Sequence, residues 1–377
     1  MKLSTLKIII ALNACLVLSC TKAVKEIGNE SAALVSGGTP LAGTVDKTDT
    51  LKVMAYNVLN YGDGCQAATP ALDAYLKTIT SYVQPDLLSC EKMTAFDPAS
   101  PLPANLASDI STNALNAAFP GRYNYATPTN QSGSSTMSVL FYNKQKLGFV
   151  RTETLVASIT DFNLYTLYYK DPNLAITHDT TFLYVVVNHT KSGGSSTARD
   201  QQVTQEIAAV RAKFPILPNL VIMGDFNTRN SSEAGYQALV AGTNPATRMS
   251  DPPFSVDRKL QYPADWDNNP QLFSAYLTTS TRLSTTVPNS CGTGGGARSW
   301  YDHIFISPAL VSGSTQIQYI PGSYRTVGND GKRLSSDENS IIPVANTSAP
   351  DAVIQALYQF SNKYPVMIGL LVKAKRS

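Results

Sequence analysis

Asn219–Asn227 reads NLVIMGDFN. Leu220, Val221, Ile222 and Met223 form an unbroken apolar run, the pattern of a strand buried on both faces. The run stops at Gly224 and delivers Asp225 and, two residues on, Asn227. A carboxylate and a carboxamide two apart on extended backbone point the same way. A core strand that ends on a charge must leave it in water, pair it or give it a cation. For Asp225 alone, solvation is the simpler outcome. The rest of the chain decides.

Other apolar strands end in the same manner. Leu51–Asn57 (LKVMAYN) reads as a strand closing on Asn57, and Asp86–Glu91 (DLLSCE) as a buried strand closing on Glu91. Thr181–Asn188 (TFLYVVVN) is the strongest strand pattern and runs into His189, while Ser299–Ser307 (SWYDHIFIS) carries Asp302. Arg122–Ala126, Thr136–Tyr142, Leu147–Thr154 and Phe162–Tyr169 are β-branched or aromatic with turn residues between them. Leu357–Phe360 and Tyr364–Val372 read as the last strands. Helical spacing marks Pro70–Gln84, Leu102–Phe119, Ser196–Phe214 and a short segment near Glu233–Val240. Gly322–Pro343 is polar and reads as a surface excursion. Neither an internal repeat nor a boundary splits the core, so residues 50–377 are expected to form one α/β sandwich.

The 377 residues are 43% hydrophobic and only 15% charged, a balance that suits a protein outside the cytoplasm. Lys2 and Lys7 precede the apolar run Ile8–Leu18, which is too short to span a membrane and has the layout of a signal peptide. Val17-Leu18-Ser19-Cys20 resembles a bacterial lipoprotein signal, with residues 1–19 removed and Cys20 as the lipidated first residue. Cys15 is a second candidate, and an ordinary secretory signal is the alternative. Residues 20–49, rich in small and polar residues, read as a flexible tether. Loss of Lys2 and Lys7 lowers the formal charge from +3 to +1, which leaves no global field to draw in a polyanion such as long duplex DNA. Cys65, Cys90 and Cys291 then remain. An odd count in an oxidising compartment allows one bridge and one free thiol. Cys65 and Cys291 both sit in Gly-bearing loops and are the expected pair, with Cys90 a buried thiol.

Asn57, Glu91, His189, Asp225 with Asn227, and Asp302 therefore mark a shared rim where the strands end. Several carboxylates on one rim repel each other unless a cation lies between them. Oxygen ligands without a Cys cluster suit Mg²⁺ or Mn²⁺. The ordered set AYNVLNYG, LLSCEKM, VVNHTKSG, VIMGDFNT and YDHIFIS resembles the endonuclease/exonuclease/phosphatase superfamily with the deoxyribonuclease I-like fold. That resemblance runs from residue 51 to about residue 372. It implies a four-layered sandwich of two packed, mainly antiparallel β-sheets flanked by helices, and metal-dependent hydrolysis of phosphate esters in nucleic acids, phospholipids or sugar phosphates. It further implies that Glu91, with Asn57, holds the metal. His189 would bind the phosphate or move a proton, and Asp225 would orient or deprotonate water. Asn227 would hold a non-bridging phosphate oxygen. Asp302 would orient a second histidine.

That second histidine is missing. The family ends in S-D-H-x-P-V, and the matching frame here is Ser361-Asn362-Lys363-Tyr364-Pro365-Val366. Asn362 replaces the carboxylate and Lys363 the imidazole. Lysine stays protonated to about pH 10, so Lys363 is expected to pair with Asp302 and to offer a positive contact to substrate phosphate without cycling a proton. Two functions follow: a hydrolase of altered or weak turnover, monomeric and anchored at the bacterial envelope, or a non-catalytic relative that binds a phosphorylated ligand, glycan or protein. His303 alternates to the face opposite Asp302 and reads as structural.

Overall fold

The computed structural model describes residues 43–283, 291, 294–334 and 346–376. The signal segment 1–19, Cys20, Cys15 and the tether as far as residue 42 lie outside the described residues, as does 335–343 of the polar excursion.

Among the described residues, twelve strands form two sheets. In the first, β1 (Thr48–Tyr61) is central. It pairs in parallel with β2 (Leu87–Thr94) and antiparallel with β12 (Val366–Lys373). β4 (Thr136–Asn143) and β3 (Tyr123–Tyr125) continue the sheet beyond β2, while β10 (Ile317–Tyr319) and β11 (Arg325–Thr326) both pair with β12. The second sheet runs in sequence order through β5 (Leu147–Ala157), β6 (Asp161–Tyr169), β7 (Phe182–His189), β8 (Leu220–Asp225) and β9 (Asp302–Ile306). Each sheet holds one parallel pair, β1–β2 and β7–β8, and is otherwise antiparallel.

The sheets pack face to face, with β1 against β8 and β9, and β2 against β7 and β8. Burial on both faces explains why these strands are apolar runs without alternation. Every residue of β8 is buried. Helix α1 (Thr69–Val83) begins with Pro70 in its first turn and buries Leu72, Leu76, Ile79 and Val83. Helix α2 (Thr197–Lys213) buries Val203, Ile207 and Val210, and packs on α3 (Ala234–Val240). The chain is thus a four-layered α/β sandwich. Among the described residues no helix is long and apolar enough to cross a membrane.

Three sequence-based expectations need correction. Leu357–Phe360 is not a strand; it ends helix α4 (Asp351–Phe360), which buries Val353, Ile354, Leu357 and Phe360 at helical spacing and packs on α1. Four apolar-rich residues cannot distinguish the two periods, whereas the stretch from Val353 does. The expected helix over 102–119 starts at Leu106 and passes through a π-helical turn, Ile110–Leu115, before Asn116–Ala118. Strand β9 starts at Asp302, so this carboxylate opens a strand instead of lying within one.

Gly224 fixes how the core strand reaches the rim. Its φ is +140°, and a Cβ there would lie 2.0 Å from the Asn188 carbonyl oxygen on β7. Only glycine lets β8 lie this close beside Asn188 while turning Asp225 into place. A disulfide joins Cys65 to Cys291, and Cys90 is a buried free thiol.

Candidate functional site

Strand register lines up the rim residues. In the first sheet Asn57 of β1 lies opposite Glu91 of β2. In the second, Asp225 of β8 lies between His189 of β7 and Asp302 of β9. Directly opposed residues share one face of a sheet, so each sheet presents a row of polar groups. The rows meet where Asn57 Nδ2 donates to Asp225 Oδ2 at 2.8 Å. The loop before β12 adds Asn362 and Lys363. Ser361 Oγ donates to the Asn57 carbonyl at 2.7 Å, and the Thr281 backbone N–H donates to the Asn362 carbonyl at 2.9 Å.

Asp225 is the most heavily engaged group. Its Oδ1 accepts the Asn227 N–H at 3.1 Å, and Lys363 Nζ lies 2.9 Å from its Oδ2. Burial alone would raise its pKa, but Lys363, His189 and the Asn57 amide outweigh burial and hold the carboxyl at about 2. Lys363 also reaches Asp302 Oδ2 at 3.6 Å and sits over the Tyr301 ring, 4.8 Å from its centre. Burial works against the ammonium, yet the two carboxylates raise its pKa above the usual lysine value. Asp302 moves upward, through burial first and then repulsion from Asp225, with Lys363 opposing. Lys363 is therefore a fixed positive charge and not a proton carrier.

His189 is half-buried, and its pKa falls to about 4, chiefly through burial, aided by Lys92 and Lys363 and opposed by Asp225. It is a neutral imidazole near pH 7. Its Nδ1 finds no hydrogen-bond partner among the described residues. Asn227 adopts a left-handed φ of +50° and donates from Nδ2 to the Thr190 carbonyl at 3.1 Å, with its second amide hydrogen uncommitted.

Glu91 is 0% exposed, and neither oxygen receives a well-aligned hydrogen bond from the described residues. Burial pushes its pKa well above the carboxylate range, and Asp302 and Asp225 add to this, while the adjacent Ser89 hydroxyl only softens it. A bare carboxylate in such a place fits a bound cation. The buried Asn362 Oδ1 is likewise without a donor, and Asn57 Oδ1 keeps a lone pair after accepting the Leu59 N–H at 2.9 Å. These are oxygen donors, suited to a hard divalent ion. The one cluster of three His, Cys or acidic ligand atoms among the described residues is Asp63 with Cys65 and Cys291, whose sulfurs are consumed by the disulfide.

Asn57, His189, Asp225, Asn227, Asn362 and Lys363 line a cavity of about 500 Å³. Lys92, Arg298 and Tyr301 line it too, and all three escaped the sequence reading. Lys92 follows Glu91 directly and has a φ of +60°, at the bulge in β2 between Cys90 and Met93, so the strand runs on to Thr94 instead of closing on Glu91; a cation adjoining the carboxylate that ends an apolar run was the available signal. Arg298 offered none, because the loop that carries it is placed by tertiary packing. A separate cavity of about 610 Å³ beside Lys259 and Leu272 contains none of the rim residues. His303 is buried in the core, stacked on Trp300 at 4.4 Å, with ring nitrogens 3.2 Å from Asp251 Oδ2 and 3.0 Å from the Trp300 carbonyl. His178 is exposed.

Two solved structures share this arrangement of sheets and helices. D. rerio TDP2, complexed with a single-strand DNA product, superposes with a TM-score of 0.51 at 14% identity, covering 85% of this chain and 99% of that one. The chain has the deoxyribonuclease I-like fold. The human nocturnin catalytic domain, with a bound sulfate anion, has a TM-score of 0.50 at 13% identity, covering 86% of this chain and 97% of that one. This is the fold of the endonuclease/exonuclease/phosphatase superfamily. No family model and no curated protein matches the chain by sequence. At such low identity the likeness extends to the fold, and the chemistry rests on the residues of the rim.

Proposed function

We propose that this deoxyribonuclease I-like protein is a divalent-cation-dependent hydrolase of phosphate esters, monomeric and held at the bacterial envelope by a lipid on Cys20. The observation that carries the hydrolase reading is the buried Glu91 carboxylate, without a hydrogen-bond partner among the described residues and opposite Asn57, which lines a cavity together with His189, Asp225 and Asn227. The export and lipid anchor are supported by Lys2, Lys7, the Ile8–Leu18 run and Ser19-Cys20.

Each residue takes the task its environment permits. Glu91, with Asn57, is the metal end, and a bound Mg²⁺ or Mn²⁺ supplies charge neutralisation for an anionic phosphate. Neutral His189 hydrogen-bonds a phosphate oxygen, and Asn227 donates its uncommitted amide hydrogen to another. Asp225, with its pKa held at about 2, is a weak base. It acts by orienting the attacking water through an accepted hydrogen bond, and the developing negative charge is met by Lys92, Lys363 and Arg298. The attacking water oxygen forms the new P–O bond as the ester oxygen leaves with the electron pair of the broken one; the water's proton passes to solvent, and the leaving oxygen takes one from solvent.

The experiment is turnover of chromogenic phosphodiesters and phosphomonoesters, nucleic acids and phospholipids with Mg²⁺ or Mn²⁺, in wild type, Glu91→Ala and Asp225→Ala. Metal-dependent turnover lost in both variants supports hydrolysis. Wild-type rates no higher than those of the variants, on every substrate, refute it. The second reading, a non-catalytic binder of a phosphorylated ligand, is favoured by Lys363, whose raised pKa denies the site the acid–base group that a histidine there would provide. Restoring the pair with Asn362→Asp and Lys363→His is expected to raise turnover if that loss limits the rate.

A further inference from the structure

Asp225 and Asp302 face each other across β8 and β9, at 1% and 0% exposure. Two ionised carboxylates in that position repel strongly in the absence of a cation. Lys363 Nζ contacts both, at 2.9 and 3.6 Å, and the Tyr301 ring caps it. Its backbone is equally fixed. The Lys363 N–H donates to Ser361 Oγ at 3.1 Å, and the next residue, Tyr364, donates its N–H to the Thr278 carbonyl at 2.8 Å. This lysine is not a mobile arm that has settled on the nearest acid. The third carboxylate, Glu91, has no comparable partner among the described residues: Asn57 stands opposite it and turns its own amide toward Asp225.

We propose that Lys363 is a built-in cation filling the Asp225–Asp302 half of the site, so that the site takes a single divalent ion, at Glu91. The inference rests on reading Glu91 as the metal end. With a cation bound and all three carboxyls ionised, the one ammonium leaves two negative charges, which one divalent ion balances. A second ion would leave the buried site with excess positive charge, which is costly in a low-dielectric interior. Lys363 is thus a positioning residue. It keeps Asp225 ionised and aimed, and it occupies the space that a second metal would need.

Binding of Mn²⁺ alone to the full chain, at neutral pH, tests this by electron paramagnetic resonance and calorimetry, with no substrate present. The wild type is expected to take up one Mn²⁺ and Glu91→Ala none. Lys363→Met is expected to take up two, the second visible as line broadening from spin coupling between neighbouring ions. Lys363→Met with Asp302→Asn restores the charge balance and is expected to return to one. Because Lys363→Met leaves two buried carboxylates unpaired and is at risk of not folding, Asp302→Asn alone provides a near-isosteric second arm. It keeps Lys363, removes one negative charge, and is expected to bind a single Mn²⁺ about tenfold more weakly.

Two Mn²⁺ ions on the wild type overturn the proposal. So does one Mn²⁺ of unchanged affinity on Lys363→Met, or unchanged affinity in Asp302→Asn. Absence of Mn²⁺ binding to the wild type overturns the metal reading of Glu91 itself and takes the proposal with it, a result distinct from the others.

Discussion

Replacing Glu91 by glutamine should stabilise the metal-free protein and abolish its response to metal. The side chain is 0% exposed and its oxygens have no well-aligned donor among the described residues, so in the absence of a cation ionising it carries a penalty. Burial first, then Asp302 and Asp225, raise its pKa above that of the unfolded chain. For a carboxyl raised in this way, the stabilisation is present below about pH 4.5 and is lost as pH rises through the folded value. Glutamine has no such loss. At pH 7.5 in EDTA, Glu91→Gln should therefore exceed wild type by up to about 4 kcal/mol, at about 1.4 kcal/mol for each pH unit above about 4.5. Saturating Mg²⁺ at about 100 times Kd should stabilise wild type by about 2.7 kcal/mol. For a folded unit of about 330 residues, with an unfolding entropy near 0.7 kcal/mol/K, that is a shift in Tm of about 4 °C. Calorimetric melts of both proteins with EDTA and with Mg²⁺ measure all four states. A Mg²⁺ shift that survives in Glu91→Gln, or a wild type that melts higher than the variant in EDTA, would show that Glu91 is not the metal end.

Three further predictions address the frame around the site. Gly224→Ala should lose at least about 1–3 kcal/mol in urea unfolding, because its Cβ meets the Asn188 carbonyl oxygen at 2.0 Å; an unchanged midpoint would mean that β7 and β8 separate freely. Removing the disulfide with Cys65→Ala and Cys291→Ala should cost about 5 kcal/mol of stability through chain entropy, given the 226-residue separation, and a loss below about 1 kcal/mol would contradict this. Glu206 is buried against Asn188, and burial raises its pKa to about 8 despite hydrogen bonds of 2.9 and 3.0 Å from the amide. Its contribution is present below about pH 4.5 and lost as pH rises through 8, so Glu206→Gln should flatten the fall in stability between pH 5 and pH 9 by several kcal/mol. Parallel pH slopes in the two proteins would refute that assignment.

Much of this was legible in the chain. Apolar runs that end in Asn57, Glu91, His189 and Asp225 announced both the buried strands and a polar rim, because a strand covered on two faces has few polar residues until it emerges. The GDFN turn was readable for the same reason. The spacing in Thr197–Lys213 announced a helix. Leu357–Phe360 misled, since four residues hold too little of either period.

What the sequence by itself determined, then, was which residues leave the core and with what chemistry. Only the tertiary structure decided which of them meet. Register placed Asp225 between His189 and Asp302, and the packing of the two sheets set Asn57 against Asp225. The loop before β12 carried Lys363 onto two carboxylates far away in sequence, and Glu91 has no such partner among the described residues. Local patterns report whether a side chain is buried. Its neighbours across a sheet interface depend on contacts between distant segments, and it is those contacts that made Lys363 a fixed charge and kept Glu91 buried.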